Sequence, residues 1–120
     1  MISARPFPRI HRLLKKSDFD GVFRGGRRGR SHGLMVVVRT SASGHSRLGV
    51  SLSRKFGNAV KRNRARRLLR ESFRLHPDLF ERAVDIVALP QAGQFPDQLQ
   101  EVVRSLRNAV AQALAPRKRK

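Results

Sequence analysis

Short apolar clusters alternate with breaks rich in Gly, Pro and Ser, and the period of each cluster predicts its element. Ser17-Asp18-Phe19-Asp20 reads as a helix start, with Ser17 as N-cap and Asp20 three positions on. Phe19, Val22 and Phe23 fall at i, i+3 and i+4, which gives a short helix an aromatic face ended by Gly25-Gly26. Arg27-Arg28-Gly29-Arg30 predicts a basic edge strand leading into a sheet. Leu34 to Arg39 is Val-rich and predicts a buried strand. Arg47 to Ser53 alternates: Leu48, Val50 and Leu52 face one way, Arg47, Gly49, Ser51 and Ser53 the other. These two strands, joined by the turn residues of Thr40 to Ser46, are expected to form an antiparallel hairpin. The outer face of the second is small except at Arg47, which leaves room for a ligand close to the sheet.

Gly57-Asn58 opens the strongest helix, capped by Asn58 and ending near Leu75 before His76-Pro77. At 100° per residue, Ala65, Leu68, Leu69, Ser72 and Phe73 share one face and Asn63, Arg66, Arg67, Arg70 and Arg74 the other. Val84 to Leu89 predicts another strand. A last helix is expected from Pro96-Asp97 to Pro116, with Leu99, Val102, Val103, Leu106 and Val110 at helical spacing. The fold class is α/β, a two-layer α+β sandwich in the order α-β-β-β-α-β-α. One domain is expected over 1–120: a basic arm (1–16), a globular core (17–115) and a basic tail (116–120).

Charge narrows the partner. The 120 residues carry 27 Lys and Arg against 8 Asp and Glu, a formal net charge of +19 that points to a polyanion. The longest apolar run is Leu34 to Val38, against roughly 20 residues needed to span a bilayer, so no membrane partner is expected. Met1 to Leu14 holds charges and prolines where a secretory signal would be apolar. The absence of Cys fits a reducing cytoplasm, the expected location.

Arg54 to Arg74 concentrates nine basic residues against one acid, Glu71. Like charges at i, i+4, such as Arg62/Arg66 and Arg66/Arg70, repel on an isolated helix, and an array of phosphates relieves them. The four histidines stand apart from acids at any motif spacing, so no general acid–base pair is expected, and no catalytic residue is assigned. The nearest carboxylate group, Asp78, Glu81 and Asp85, is expected to serve solvation or helix-end charge. It is not expected to hold a metal.

The string Lys55-Phe56-Gly57-Asn58-Ala59-Val60, followed by Arg62-Asn63-Arg64, Arg66-Arg67 and Arg70, closely resembles the signature of the bacterial ribonuclease P protein component. Leu14 to Arg28, Arg47 to Lys55 and Asp85 to Gly93 resemble that family's other blocks, in order. The resemblance implies a subunit of the endoribonuclease that removes the 5′ leader of precursor tRNA. Catalysis would belong to the partner RNA and its Mg²⁺ ions, with no cofactor or small-molecule substrate held by the protein alone. It further implies that Arg62, Asn63, Arg64, Arg66, Arg67 and Arg70 face the catalytic RNA. A cleft of Phe19, Phe23, Arg47, Ser51, Ser53 and Lys55 would hold the single-stranded leader, and the β-α-β crossover would be left-handed. Val37 stands where some members carry an aromatic, and Phe56 where Ile or Val is usual. The alternative is a non-catalytic ribosomal RNA-binding protein of similar fold, which would not need an aromatic cleft beside the basic helix.

Overall fold

The first hairpin forms around two residues. β1 (Arg27–Ser31) and β2 (Leu34–Thr40) pair antiparallel, and the Ser31–Leu34 pair leaves only His32 and Gly33 in the turn. Both have positive φ, 25° and 75°, the conformation that tight two-residue hairpins require. The computed structural model describes residues 12, 15–41, 44–76, 80 and 82–116. Most of the arm expected over 1–16, the tail beyond Pro116, Asp78 and Glu81 lie outside them.

The second expected hairpin does not form. β4 (Val84–Pro90) lies between β2 and β3 (Arg47–Val50), giving a sheet of order β1-β2-β4-β3. β4 pairs antiparallel with β2 and parallel with β3. Six of its seven residues are buried, so it is hydrophobic on both faces and needs neighbours on both edges. The six residues between β2 and β3 therefore join strands that are not neighbours in the sheet. Regular pairing of β3 stops at Val50, although the Ser51 amide still donates to the Ala88 carbonyl at 2.9 Å. A single 3-10 turn, Arg54–Phe56, carries the chain to α2 (Ala59–Leu75), and α3 is Leu99–Leu114.

Two faces of the sheet are closed differently. Val36, Val38, Ile86, Ala88 and Leu48 pack with Leu69 and Phe73 of α2 and Val102, Leu106 and Val110 of α3. On the other face α1 (Lys16–Gly25) places Val22 and Phe19 against Val37 and Val87. α3 approaches β1 so closely that a Cβ on Gly29 would overlap the Ala109 carbonyl. The free edge of β1 is also covered, because the Arg30 amide donates to Gln112 Oε1 at 2.6 Å.

The helix ends divide. Asn58 caps α2 as expected, accepting from the Lys61 amide at 2.9 Å. Ser17 does not cap α1: the helix begins one residue before it, Lys15 occupies the cap position, and no side chain caps that end. Backbone bonds from the Asp18 and Phe19 amides to the Lys15 carbonyl close the first turn instead. α3 starts at Leu99 rather than at Pro96-Asp97, because the Gln94 and Phe95 amides fold back onto the Gln91 carbonyl and keep that stretch in a turn.

Candidate nucleic-acid interface

The expected catalytic-RNA residues occupy one helix, and their neighbours sort them. Arg67 is exposed. Arg66 donates to Asn63 Oδ1 at 3.3 Å, so the carboxamide orients that guanidinium. Arg70 is half-buried; burial, then the charges of Arg12 and Arg66, hold its pKa below the ordinary value. Arg12 reaches this group from beside β3, where its backbone makes an isolated parallel bridge to Leu48. Three guanidiniums from two segments thus gather beside one sheet edge, an arrangement that phosphates stabilise. Arg62 is half-buried, and its Nε is enclosed with no hydrogen-bond partner among the described residues.

Arg64 and Arg74 are committed elsewhere. Arg64 donates to the Asp97 carboxylate and, at 3.0 Å, to its carbonyl, tying α2 to the segment before α3. Arg74 pairs with Glu71 at 2.8 Å, which removes it from the unpaired stripe.

The expected cleft lies on the α1 face. The Val37–Val87–Gly49 row crosses the sheet there, beneath Val22 and Phe19. The two rings differ in exposure: Phe19 packs against this cluster, whereas Phe23 is 38% exposed. Val37 is buried under α1, so the strand itself offers no ring. Ser51 is half-buried at the end of β3, and Ser53 and Lys55 are exposed where the chain turns toward α2.

Arg47 has a structural partner that the sequence reading missed. Arg39, Asp85 and Arg47 stand in one row across β2, β4 and β3. The Asp85 carboxylate, wholly buried, accepts from both arginines. Asp18 of α1 approaches Arg47 at 3.7 Å. Burial pushes the Asp85 carboxyl upward, but the hydrogen bonds and charges of Arg47 and Arg39 outweigh it and leave the pKa below the ordinary value. The expectation that Asp85 serves solvation or a helix end is therefore wrong. A lone acid inside the apolar run Val84–Leu89 was the signal, since a buried carboxylate needs cationic partners.

Phe56, in the 3-10 turn before α2, meets Phe95 edge to face, with centroids 6.1 Å apart. Among the described residues no three His, Asp or Glu side chains gather as a metal-binding group. No helix of the described residues is long and apolar enough to cross a membrane.

One sheet with α1 on one face and, on the other, α3 and the basic helix α2 defines a small α/β RNA-binding protein. A family model described as Ribonuclease P matches residues 7–114. The ribonuclease P protein component of Desulfotalea psychrophila is 39% identical over 102 residues, covering 82% of this chain and 85% of that protein. Its counterpart in Legionella pneumophila strain Lens is 44% identical over 88 residues, covering 72% and 75%. The solved RNase P protein of Staphylococcus aureus superposes with a TM-score of 0.72 at 28% identity, over 88% of this chain and 98% of that one. That of Thermotoga maritima gives 0.63 at 30% identity, over 82% and 90%. The chain belongs to the ribonuclease P protein family. It is a protein subunit of the tRNA-processing endoribonuclease and associates with the ribonuclease P RNA.

Proposed function

We propose that this subunit holds two RNAs on separate surfaces, the catalytic RNA on α2 and the 5′ leader of precursor tRNA in the groove between α1 and β3. The observation that carries this reading is the opposed placement of the two groups. α1 packs on β2 and β4, beside the small-residue side of β3, while α2 packs on the opposite sheet face with its arginines outward. In the groove Phe23 offers an exposed ring on which a base can stack whatever its identity. Gly49 and Ser51 let an extended strand approach, and Lys55 supplies charge at the exit. Arg47, neutralised by Asp85 and Asp18, shapes the groove more than it charges it. Phe19, partly buried against Val22, Val37 and Val87, offers less free ring than Phe23.

On α2, Arg62, Asn63, Arg66, Arg67 and Arg70 would engage catalytic-RNA phosphates, with Arg64 holding the helix in place through Asp97. The Mg²⁺ ions of the reaction would be held by RNA, and the protein would contribute by positioning and by screening two polyanions from each other. The test is cleavage of precursor tRNA by a bacterial ribonuclease P RNA at limiting Mg²⁺. Added protein is expected to accelerate leader removal and to lower the Mg²⁺ required. Unchanged cleavage, or cleavage by protein alone, contradicts the reading.

A further inference from the structure

We propose that the cavity beside the N-terminal half of α2 captures one unpaired nucleotide of the catalytic RNA, with the base inside and the phosphate on Lys61. The proposal rests on the reading of α2 as the catalytic-RNA surface and adds a site to it. The cavity, about 410 Å³, is lined in part by Phe56, Lys61, Arg64, Leu68, Phe95 and Asp97. That volume is within the range of small-ligand sites, about 300–1,000 Å³.

Three features of the lining match a base ring, its exocyclic amino group and a phosphate. Phe56 and Phe95 keep some exposure while packed edge to face, so the wall offers aromatic surface to a base. Lys61 is an exposed cation of the lining, in the first turn of α2, placed for a phosphate. Asp97 is an exposed acceptor whose position Arg64 fixes, and exposed carboxylates are scarce on this basic surface. A carboxylate repels phosphate but accepts from the exocyclic amino group of a base, as acidic side chains do with cytosine N4. Aromatic wall, cation and acceptor together favour a splayed-out, amino-bearing base, the form in which RNA is read by sequence. The catalytic RNA is the source because two cations of α2, Lys61 and Arg64, line the cavity, whereas the groove proposed for the leader lies across the sheet.

The experiment uses the full chain with a bacterial ribonuclease P RNA, measuring affinity across a salt series together with base-specific chemical probing. Phe56→Leu keeps the apolar volume and removes the ring. It is expected to weaken binding about five- to tenfold with no change in salt slope. One unpaired base shielded by the wild-type protein should become reactive in that complex. Lys61→Gln is expected to weaken binding and to reduce the salt slope by about one. If Phe56→Leu folds and neither affinity nor base reactivity changes, the proposal is wrong. Should it fail to fold, the wild-type footprint decides, and the absence of any shielded unpaired base overturns the site. An Arg66→Ala/Arg70→Ala variant separates the two levels. If it alone weakens binding, α2 remains the RNA surface and only the cavity is lost; if it binds as wild type, the parent reading falls.

Discussion

Arg47 grips Asp85 with two nitrogens: Nε donates to one carboxylate oxygen and a terminal nitrogen to the other, each at 2.9 Å, across the parallel β3–β4 pair. Arg39 adds a third bond at 3.1 Å from β2. This ion triad ties together three strands that no hairpin turn connects. Removing the acid leaves two cations without their shared partner. Asp85→Ala is expected to cost about 3–5 kcal/mol, measured by urea unfolding. A loss below 1 kcal/mol would show that the triad does not hold the sheet.

The same carboxylate sets an acid limit. Its folded pKa lies below the unfolded value of about 3.9, so its contribution is present above that pH and disappears as pH falls through the folded value. The melting-temperature difference between wild type and Asp85→Asn should be constant from pH 7 to about 5. Below about pH 4 it should shrink. A difference that grows on acidification would reverse the assigned sign.

Asn58 caps the helix that carries the RNA-facing arginines. Asn58→Ala should destabilise the protein by about 1 kcal/mol, while Asn58→Asp should recover most of it because either side chain can accept from the Lys61 amide. Chemical denaturation of both variants checks this.

Two glycines predict opposite outcomes. A Cβ at Gly29 meets the Ala109 and Ala113 backbone, which cannot move aside without lifting α3 from β1. Gly29→Ala should lower stability by about 1–3 kcal/mol or more. Gly25, at the end of α1, has nothing within 4 Å of an added Cβ, and Gly25→Ala should be neutral or slightly stabilising in the same thermal melts.

What the sequence made legible follows from which forces are local. Periodicity placed the buried face of α2 correctly: Ala65, Leu69, Ser72 and Phe73 are buried, because helical phase depends only on neighbours within one chain segment. Strand pairing is not local. The alternation of Arg47 to Ser53 identified a strand but not its partner, and a seven-residue connection was compatible with a hairpin. The decisive clue lay elsewhere, in a β4 apolar on both faces. The groove was legible only in outline. Phe19 and Phe23 share a helix face, yet the sheet partly covers one and leaves the other exposed, and no pattern in the chain reports where α1 docks. Arg64 and Arg47 illustrate the same limit, since their partners Asp97 and Asp85 are distant in sequence and no local pattern reports either ion pair.

The assignment of separate surfaces is tested most directly by the affinity of the reconstituted holoenzyme for precursor tRNA with and without its 5′ leader. Phe23→Ala is expected to weaken binding of the leader-bearing substrate about five- to tenfold and to leave leaderless tRNA unaffected. Arg66→Ala/Arg70→Ala should impair assembly with the catalytic RNA, and at saturating protein the preference for the leader should be retained. Equal losses on both substrates for Phe23→Ala, or loss of leader preference in the saturated arginine variant, would contradict two separate RNA surfaces.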